Sequence, residues 1–526
     1  MKRKKGLFRI FVVLLAVFLL VGCNSKESNS KSESSSDTEV KKQTGGTLNI
    51  AYPTQPQSLD PHSTTAEATR DMAKLIYESL LTLDENYKVI PQLAETYTAS
   101  DDHKTYTFKL RKGVKFHNGK EMKAEDVAAS MTKWGQDAPE MGEHTWTVID
   151  DYTVELKLQA PSSLVPYFIA DLARLAAIMP KEIAEKAGPT GAGEYIGTGP
   201  FKFIEWKQDE LAAFEKFKDY VPSSEPSSGL GGKKEALVDK INWYFVPDPS
   251  TRVNGLLSGQ YDYAHYLSYD SVPQVKNTPG FKVDIWPYGN EILVFNKKSG
   301  LFTDVRARQA VNFALDMDAV LRSAFAEKDF YELDNSLFLD TQVDWYTDAG
   351  KEYYNQKDLN KAKQLLKEVG YNGEEIIILT SRDYEHHYNA AVATQQELEK
   401  IGMKVKLDVY DWPTLLERRN NPELYDIFFT GYSTTMTPHQ YTFLDSRAEW
   451  PGWTNNPKID QLLDDIQAAP TIEEAKEHYA ELQKTMWEDL PVINLGRNSR
   501  VSAYSEKVQG FTQMLGPNFW NVSVNK

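Results

Sequence analysis

The sequence runs to 526 residues, longer than one hydrophobic core usually supports, so two or three domains are expected. With 41% hydrophobic and 25% charged residues, the composition is that of an ordinary globular chain and too polar for a multi-span membrane protein. The formal charge of −16 argues against nucleic acid as a partner, because phosphate binding needs clustered Lys and Arg.

The chain opens on the basic run Met1-Lys-Arg-Lys-Lys5, and residues 10–22 are then uninterruptedly apolar or small. That run of 13 is shorter than the ~20 residues a spanning helix needs, so it reads as the apolar core of a secretory signal, residues 1–22. Removing its five cationic residues (Lys2, Arg3, Lys4, Lys5, Arg9) takes the formal charge from −16 to −21. Cys23 is the single cysteine, so no intramolecular disulfide can form and the fold must be held by its core. Leu20-Val-Gly-Cys23 resembles the lipobox of bacterial lipoproteins. The resemblance implies cleavage before Cys23, a diacylglycerol on its sulfur, and anchoring at the outer face of the cytoplasmic membrane. Residues 24–44 hold one aliphatic side chain, Val40, and cannot bury enough surface to fold. As a flexible tether they would span about 25 Å on average.

From Gly45 the pattern changes to alternating strands and helical stripes. Residues 48–52, 106–110 and 152–158 place apolar side chains at period two and are predicted as half-buried strands. Ala307, Ala310, Val311, Ala314 and Leu315 share one face of a predicted helix that Thr303 or Asp304 would cap. No repeat of 20–50 residues stands out, which argues against a solenoid or propeller.

The segment 374–445 is the most informative. Ile376-Ile-Ile-Leu-Thr380 is a β-branched run suited to a strand buried on both faces. A helix is predicted over 388–401, stopped by Gly402, followed by a strand at 405–409, a helix at 414–419 and a strand at 427–430. In such a β-α-β-α-β unit, ligands bind outside the carboxyl ends of the strands. The candidate site therefore lies in the loops 381–388, 410–413 and 431–439, all rich in aromatic, histidine and small polar residues that suit a polar organic solute.

Catalytic signatures are sparse. There is no Gly-x-Ser-x-Gly elbow and no His-Glu-x-x-His, and Cys23 is committed to the lipid. His386 and His387 are sequence neighbours expected to point to different sides, one towards ligand and one to solvent, a poor pair for one metal. Gly229-Leu-Gly-Gly-Lys-Lys234 lacks phosphate-loop spacing and reads as a loop, and residues 196–200 read as a turn that demands glycine. No metal or cofactor other than the diacylglycerol is expected, and no enzyme activity.

Five motifs then stand in order: Gly45-Gly-Thr-Leu48, Ser58-Leu-Asp-Pro-His62, Tyr106-x-Phe-x-Leu-Arg-x-Gly-Val-Lys-Phe-His-Asn-Gly119, Gly197-Thr-Gly-Pro-Phe201, and Phe302-x-Asp-Val-Arg-x-Arg-Gln-Ala310. Through them residues 45–526 resemble the large solute-binding proteins of ABC importers, family 5, of the oligopeptide- and dipeptide-binding type. The resemblance implies an α/β, two-lobe hinged fold of type II with an extra third domain. Lobe I would comprise 45–83, 191–288 and 486–526, the extra domain 84–190, and lobe II 289–485. A monomer closing on a solute, most readily a peptide, would deliver it to the permease and ATPase subunits of the importer.

Peptide-binding members line the cleft at positions that here match Tyr288, His386, Trp412, Arg419 and Tyr432, with Thr434, Thr435 and Met436 in the adjoining loop. Trp412 and Tyr432 would supply flat walls and Arg419 a bidentate partner for a carboxylate. Thr435 is a departure: those members hold the ligand α-ammonium with an Asp there, and a hydroxyl carries no charge. A non-peptide solute (an oligosaccharide, an opine-like conjugate or a metal chelate) therefore stands as the alternative, and an exported hydrolase as the rival of another class.

Overall fold

A computed structural model describes residues 44–188 and 191–525. The expected signal segment, the tether up to residue 43 and the lipidation site Cys23 lie outside the described residues. Among the described residues no helix is long and apolar enough to cross a membrane.

The period-two segments pair into one 11-stranded sheet and several smaller ones. The main strands of the large sheet are β1 (Thr47–Tyr52), β2 (Phe201–Lys207), β3 (Leu211–Lys216), β4 (Lys240–Phe245), β5 (Tyr263–Ala264), β6 (Phe281–Phe295), β7 (Glu375–Ser381), β8 (Lys404–Tyr410), β9 (Ile427–Ser433) and β10 (Val492–Ser505). Their order is β8-β7-β9-β6-β10-β5-β1-β4-β3-β2, with the two-residue strand Tyr331–Glu332 paired to β10 off this path. One half, β8-β7-β9, is parallel and is joined by helices α1 (Glu385–Glu399) and α2 (Trp412–Arg418), which is the predicted β-α-β-α-β unit. In the other half β1 runs parallel to both β4 and β5. The two halves meet through the long antiparallel pair β6 and β10, of 15 and 14 residues.

The strand composition explains this arrangement. Ile376, Ile378, Leu379, Thr380 and Ser381 of β7 are all buried, as a strand covered on both faces requires. Gly402 sits at φ +93° just beyond α1, the left-handed position expected for it. Asp304 caps the helix Val305–Ala314 by accepting from the Arg306 N–H. The helix α1 begins at Glu385, three residues before its predicted start, so His386 and His387 lie in a first helical turn. Tyr384 before it makes no side-chain cap, which is why the start carries no sequence signal.

The predicted strands at 106–110 and 152–158 belong to a separate four-stranded antiparallel sheet in the order Ala94–Ala99, Thr105–Leu110, Thr153–Leu158, His144–Asp150. The motif that follows, Phe116-His117-Asn118-Gly119, reaches back to the 197–199 turn. His117 Nε2 lies 3.0 Å from the Gly199 carbonyl, and the His117 N–H donates to the Gly197 carbonyl at 3.0 Å. Both glycines are needed there for close approach and not for a positive φ: a Cβ on Gly197 would sit 2.2 Å from the Ile76 carbonyl oxygen, and one on Gly199 2.4 Å from that of Leu75.

Burial lowers the His117 pKa to about 4, because the charged ring is costly to desolvate. The unfolded chain then binds a proton below pH 6.5 that the folded chain refuses until about pH 4. Stability is therefore full above pH 6.5 and falls as pH drops towards 4. Replacing His117 by Gln, which keeps an N–H for the Gly199 carbonyl, should remove about 2–3 kcal/mol of that acid loss. Urea unfolding of both proteins at pH 4.5 and 7 measures it; an unchanged difference between the two pH values refutes a neutral buried His117.

Candidate functional site

The junction of the sheet halves is built from aromatic rings and a few charges. At the end of β5 the chain turns sharply at Tyr266, whose φ of +51° is unfavourable for a bulky side chain. Arg252 holds that turn. Its guanidinium donates to the carbonyls of His265 (2.8 Å), Val246 (2.7 Å), Pro247 (2.8 Å) and Tyr266 (2.5 Å). The His265 ring stacks between Tyr52 at 4.7 Å and Tyr266 at 3.9 Å, and burial drives its pKa well below the usual value. So oriented, the Tyr266 hydroxyl donates to the Glu67 carboxylate, which also pairs with Arg70 at 3.0 Å. Burial raises the Glu67 carboxyl pKa against the pull of Arg70.

Opposite Tyr266 stand Trp286 and Tyr288 of β6. The Trp286 ring lies 6.1 Å from Tyr266 and 5.9 Å from Tyr288. Arg500 of β10, in register with Trp286, places its guanidinium 4.4 Å from the Tyr288 ring centroid and 5.4 Å from that of Tyr266. Among the described residues no carboxylate pairs with Arg500, and its Nε is buried without a hydrogen-bond partner. A guanidinium cushioned on two rings yet lacking an anion is arranged to receive one.

A second wall comes from β6 and α1. Glu291, fully buried, shares a hydrogen bond of 2.5 Å between one oxygen and His387 Nδ1, while its second oxygen has no partner. The His387 ring stacks on Trp412 at 5.7 Å and lies 4.2 Å from the His386 ring. Tyr384 meets Trp412 edge-on at 4.7 Å, and His386 rests on Phe325 at 5.6 Å. Burial raises the Glu291 carboxyl to about 7 and lowers both histidines to about 3, so each favours its uncharged form. The expectation that the two histidines point apart, with one in solvent, is corrected: successive residues on a helix are separated by about 100° and not 180°, and both rings tilt over the first turn towards β6.

The remaining predicted residues gather around the end of β9. Tyr432 packs on Phe443, Tyr441 and Trp450, and its hydroxyl meets Thr442 Oγ1 at 2.7 Å. Arg419 lies over Trp450 at 5.4 Å and Phe428 at 5.7 Å, again with a buried, unpartnered Nε. Thr434 ties this loop to the junction by donating from its N–H and hydroxyl to the Tyr288 carbonyl at 2.9 and 3.0 Å. The Thr435 carbonyl accepts from Gln342 at 2.7 Å, and its hydroxyl is buried and unpaired. Met436 is buried, its N–H held by Gln440, so its side chain fills the core and does not face an open cleft.

Beside Trp286 opens a cavity of about 420 Å³, lined among others by Tyr87, Leu339, Thr341, Met514 and Trp520. Its walls come from chain segments more than 400 residues apart, which is what a cleft between folded halves looks like.

Residues 88–455 match the model of the family described as bacterial extracellular solute-binding proteins, family 5. The chain belongs to that family. A family 5 relative in Sinorhizobium fredii, named a probable peptide ABC transporter periplasmic-binding protein, is 30% identical over 88% of this chain and 91% of its own. The oligopeptide-binding protein AppA of Bacillus subtilis is 28% identical over 97% of each chain. Among solved structures, AgaA from A. tumefaciens R10, in complex with agropinic acid, superposes with a TM-score of 0.72 at 27% identity, covering 91% of this chain and 99% of that one. The α/β architecture is accordingly the two-lobe type II binding-protein fold of family 5.

Sequence reasoning missed the Tyr266, Arg500 and Glu67 group, because its members come from three distant segments. Glu291 did carry a signal: a carboxylate heading the apolar run Ile292-Leu-Val-Phe295 is out of place in a buried strand unless it has a task.

Proposed function

We propose that the protein is the exported, lipid-anchored receptor of an ABC importer, capturing a short peptide or similar amide solute that bears a free carboxylate, and performing no chemistry on it. The observation that carries this reading is Arg500, a guanidinium without a carboxylate partner at the junction of the two sheet halves, flanked by Tyr266 from one side and Tyr288 from the other. A solute held there touches both sides at once, as closure of a hinged fold requires. Trp286, Tyr288 and Trp412 supply flat apolar surface for its side chains.

The solute can be identified by native mass spectrometry of the purified protein. Adding the compound found, at 100 times its Kd, should stabilise the fold by about 2.7 kcal/mol in a thermal titration. A compound that gives no shift, or that is consumed during incubation, overturns the reading. An opine-like conjugate is the second candidate, on the strength of the uncharged Thr435 and the likeness to a protein that binds agropinic acid.

The anchor is tested separately. Cys23→Ala should block lipidation and disrupt normal processing and anchoring while leaving solute affinity unchanged, since the two acyl chains on one glycerol that hold firmly are then absent. Normal processing and acyl labelling of Cys23→Ala, or loss of its solute, counts against lipidation as the role of Cys23.

A further inference from the structure

We propose that Glu291, His386 and His387 form a binding site for one divalent transition-metal ion of the zinc or nickel type, so that the solute held beside Arg500 is captured as a metal complex. This rests on the reading of the junction as a solute cleft and specifies the chemistry of that solute.

The three residues each offer one ligand atom, all within 4.8 Å of one another. Two imidazoles and a carboxylate are a donor set that suits these ions, and it leaves at least one coordination position open for a donor from a solute. Metal–ligand bonds of about 2.0–2.1 Å place tetrahedral ligand atoms about 3.4 Å apart, so a side-chain adjustment of about 1 Å closes the site.

A hydrogen-bonded structural pair explains only half of what is there. His387 Nδ1 satisfies one Glu291 oxygen, but the other is buried and unpaired on a side chain with no exposed surface. Leaving such an atom empty is costly unless something fills the position. Access is provided by Gly431 on β9, which is exposed. The nearest atoms a Cβ there would meet are the Asn290 carbonyl oxygen at 3.4 Å, His387 Cε1 at 3.7 Å and the unpaired Glu291 oxygen at 4.0 Å, all at ordinary contact distance. Tyr384 and Trp412 form an apolar rim that would shield the ion from bulk water.

A second trio with suitable spacing, Glu67, Asp71 and His265, serves as a contrast. There the carboxylates are already engaged by Arg70, Tyr266 and Tyr52. Cations and hydroxyl donors occupy the positions an ion would need, and that trio is a structural network. The Glu291 trio has no cation paired to it.

The test is calorimetric titration of chelator-stripped protein with ZnCl2 and, separately, NiCl2, with no solute present. One ion per chain is expected, with affinity at least tenfold weaker in His386→Ala and in His387→Asn and Glu291→Gln. His386 is less buried than Glu291, so its variant should fold even where a change at Glu291 disturbs the core; circular dichroism and urea midpoints verify each protein. Absence of saturable binding of either ion overturns the proposal. Binding that survives His386→Ala and Glu291→Gln unchanged places the ion elsewhere and overturns it equally. Capture of a carboxylate-bearing peptide by the ion-loaded and the stripped protein, each with and without Arg500→Gln, is measured alongside. Loss of capture in both forms, or capture indifferent to Arg500→Gln, defeats the cleft reading, whereas capture as tight without the ion as with it, or loss of metal binding alone, defeats only this inference.

Discussion

Arg500→Gln should weaken capture of a carboxylate-bearing solute by about thirtyfold to several thousandfold, the equivalent of about 2–5 kcal/mol for removing one partner of a desolvated charge pair. The physical basis is that the guanidinium reaches the cleft already stripped of competing anions and held by Tyr266 and Tyr288, so a ligand carboxylate pays little to organise it. The control is the ligand: a peptide whose C-terminus is amidated should bind wild-type protein as poorly as the free acid binds Arg500→Gln, and combining both changes should add little more. Isothermal titration of the four combinations gives the coupling directly. Arg419 is the competing anchor, as it also lacks a carboxylate partner. Should the carboxylate couple to Arg419→Gln and not to Arg500→Gln, the carboxylate lies at the Trp450 end of the cleft and the role given to Arg500 is wrong.

Arg252→Leu is expected to cost about 3–5 kcal/mol of folding stability, because four carbonyls lose a charged donor in a setting where water replaces it poorly. Burial lowers the Arg252 pKa only to about 10, so the side chain stays charged at neutral pH and the four bonds remain charge-assisted. The loss should also reach function, since Tyr266 at φ +51° is kept in an unfavourable backbone conformation by that staple. Urea unfolding measures the first effect and solute affinity the second. Arg252→Lys should recover less than half of either, as an ammonium cannot reach four carbonyls with one planar fork. A fully stable Arg252→Leu protein with normal affinity would show that the turn holds itself.

How much of this was legible beforehand depends on the range of the forces involved. The β-α-β-α-β unit could be read because each element announces itself within a few residues: a β-branched run for β7, a helical stripe ended by Gly402, alternation in β8. The start of α1 was misplaced because Tyr384 offers no capping oxygen, and that shift of three residues is what turned His386 and His387 from loop residues into neighbours on one helical turn. The 196–200 turn reads from sequence as one that demands glycine, but the cause, contact of Gly197 and Gly199 with the carbonyls of Ile76 and Leu75, lies more than 120 residues away and has no local trace.

The sequence by itself determined the family, the type II α/β architecture and the aromatic loops at the strand ends, since these rest on motifs and on short-range periodicity. It also marked Trp412 and Tyr432 as wall residues, and Tyr288 as a cleft-lining position, through the family resemblance. Only the tertiary structure decided which charges face the cleft. Arg500 meets Tyr266 and Tyr288 because β10 crosses β6 antiparallel, and Glu291 meets His387 because β6 passes beneath the first turn of α1. The burial that leaves one charge without a partner, and takes the exposure from another, is a property of three-dimensional packing over separations of 96 residues and more. No window of the sequence contains it.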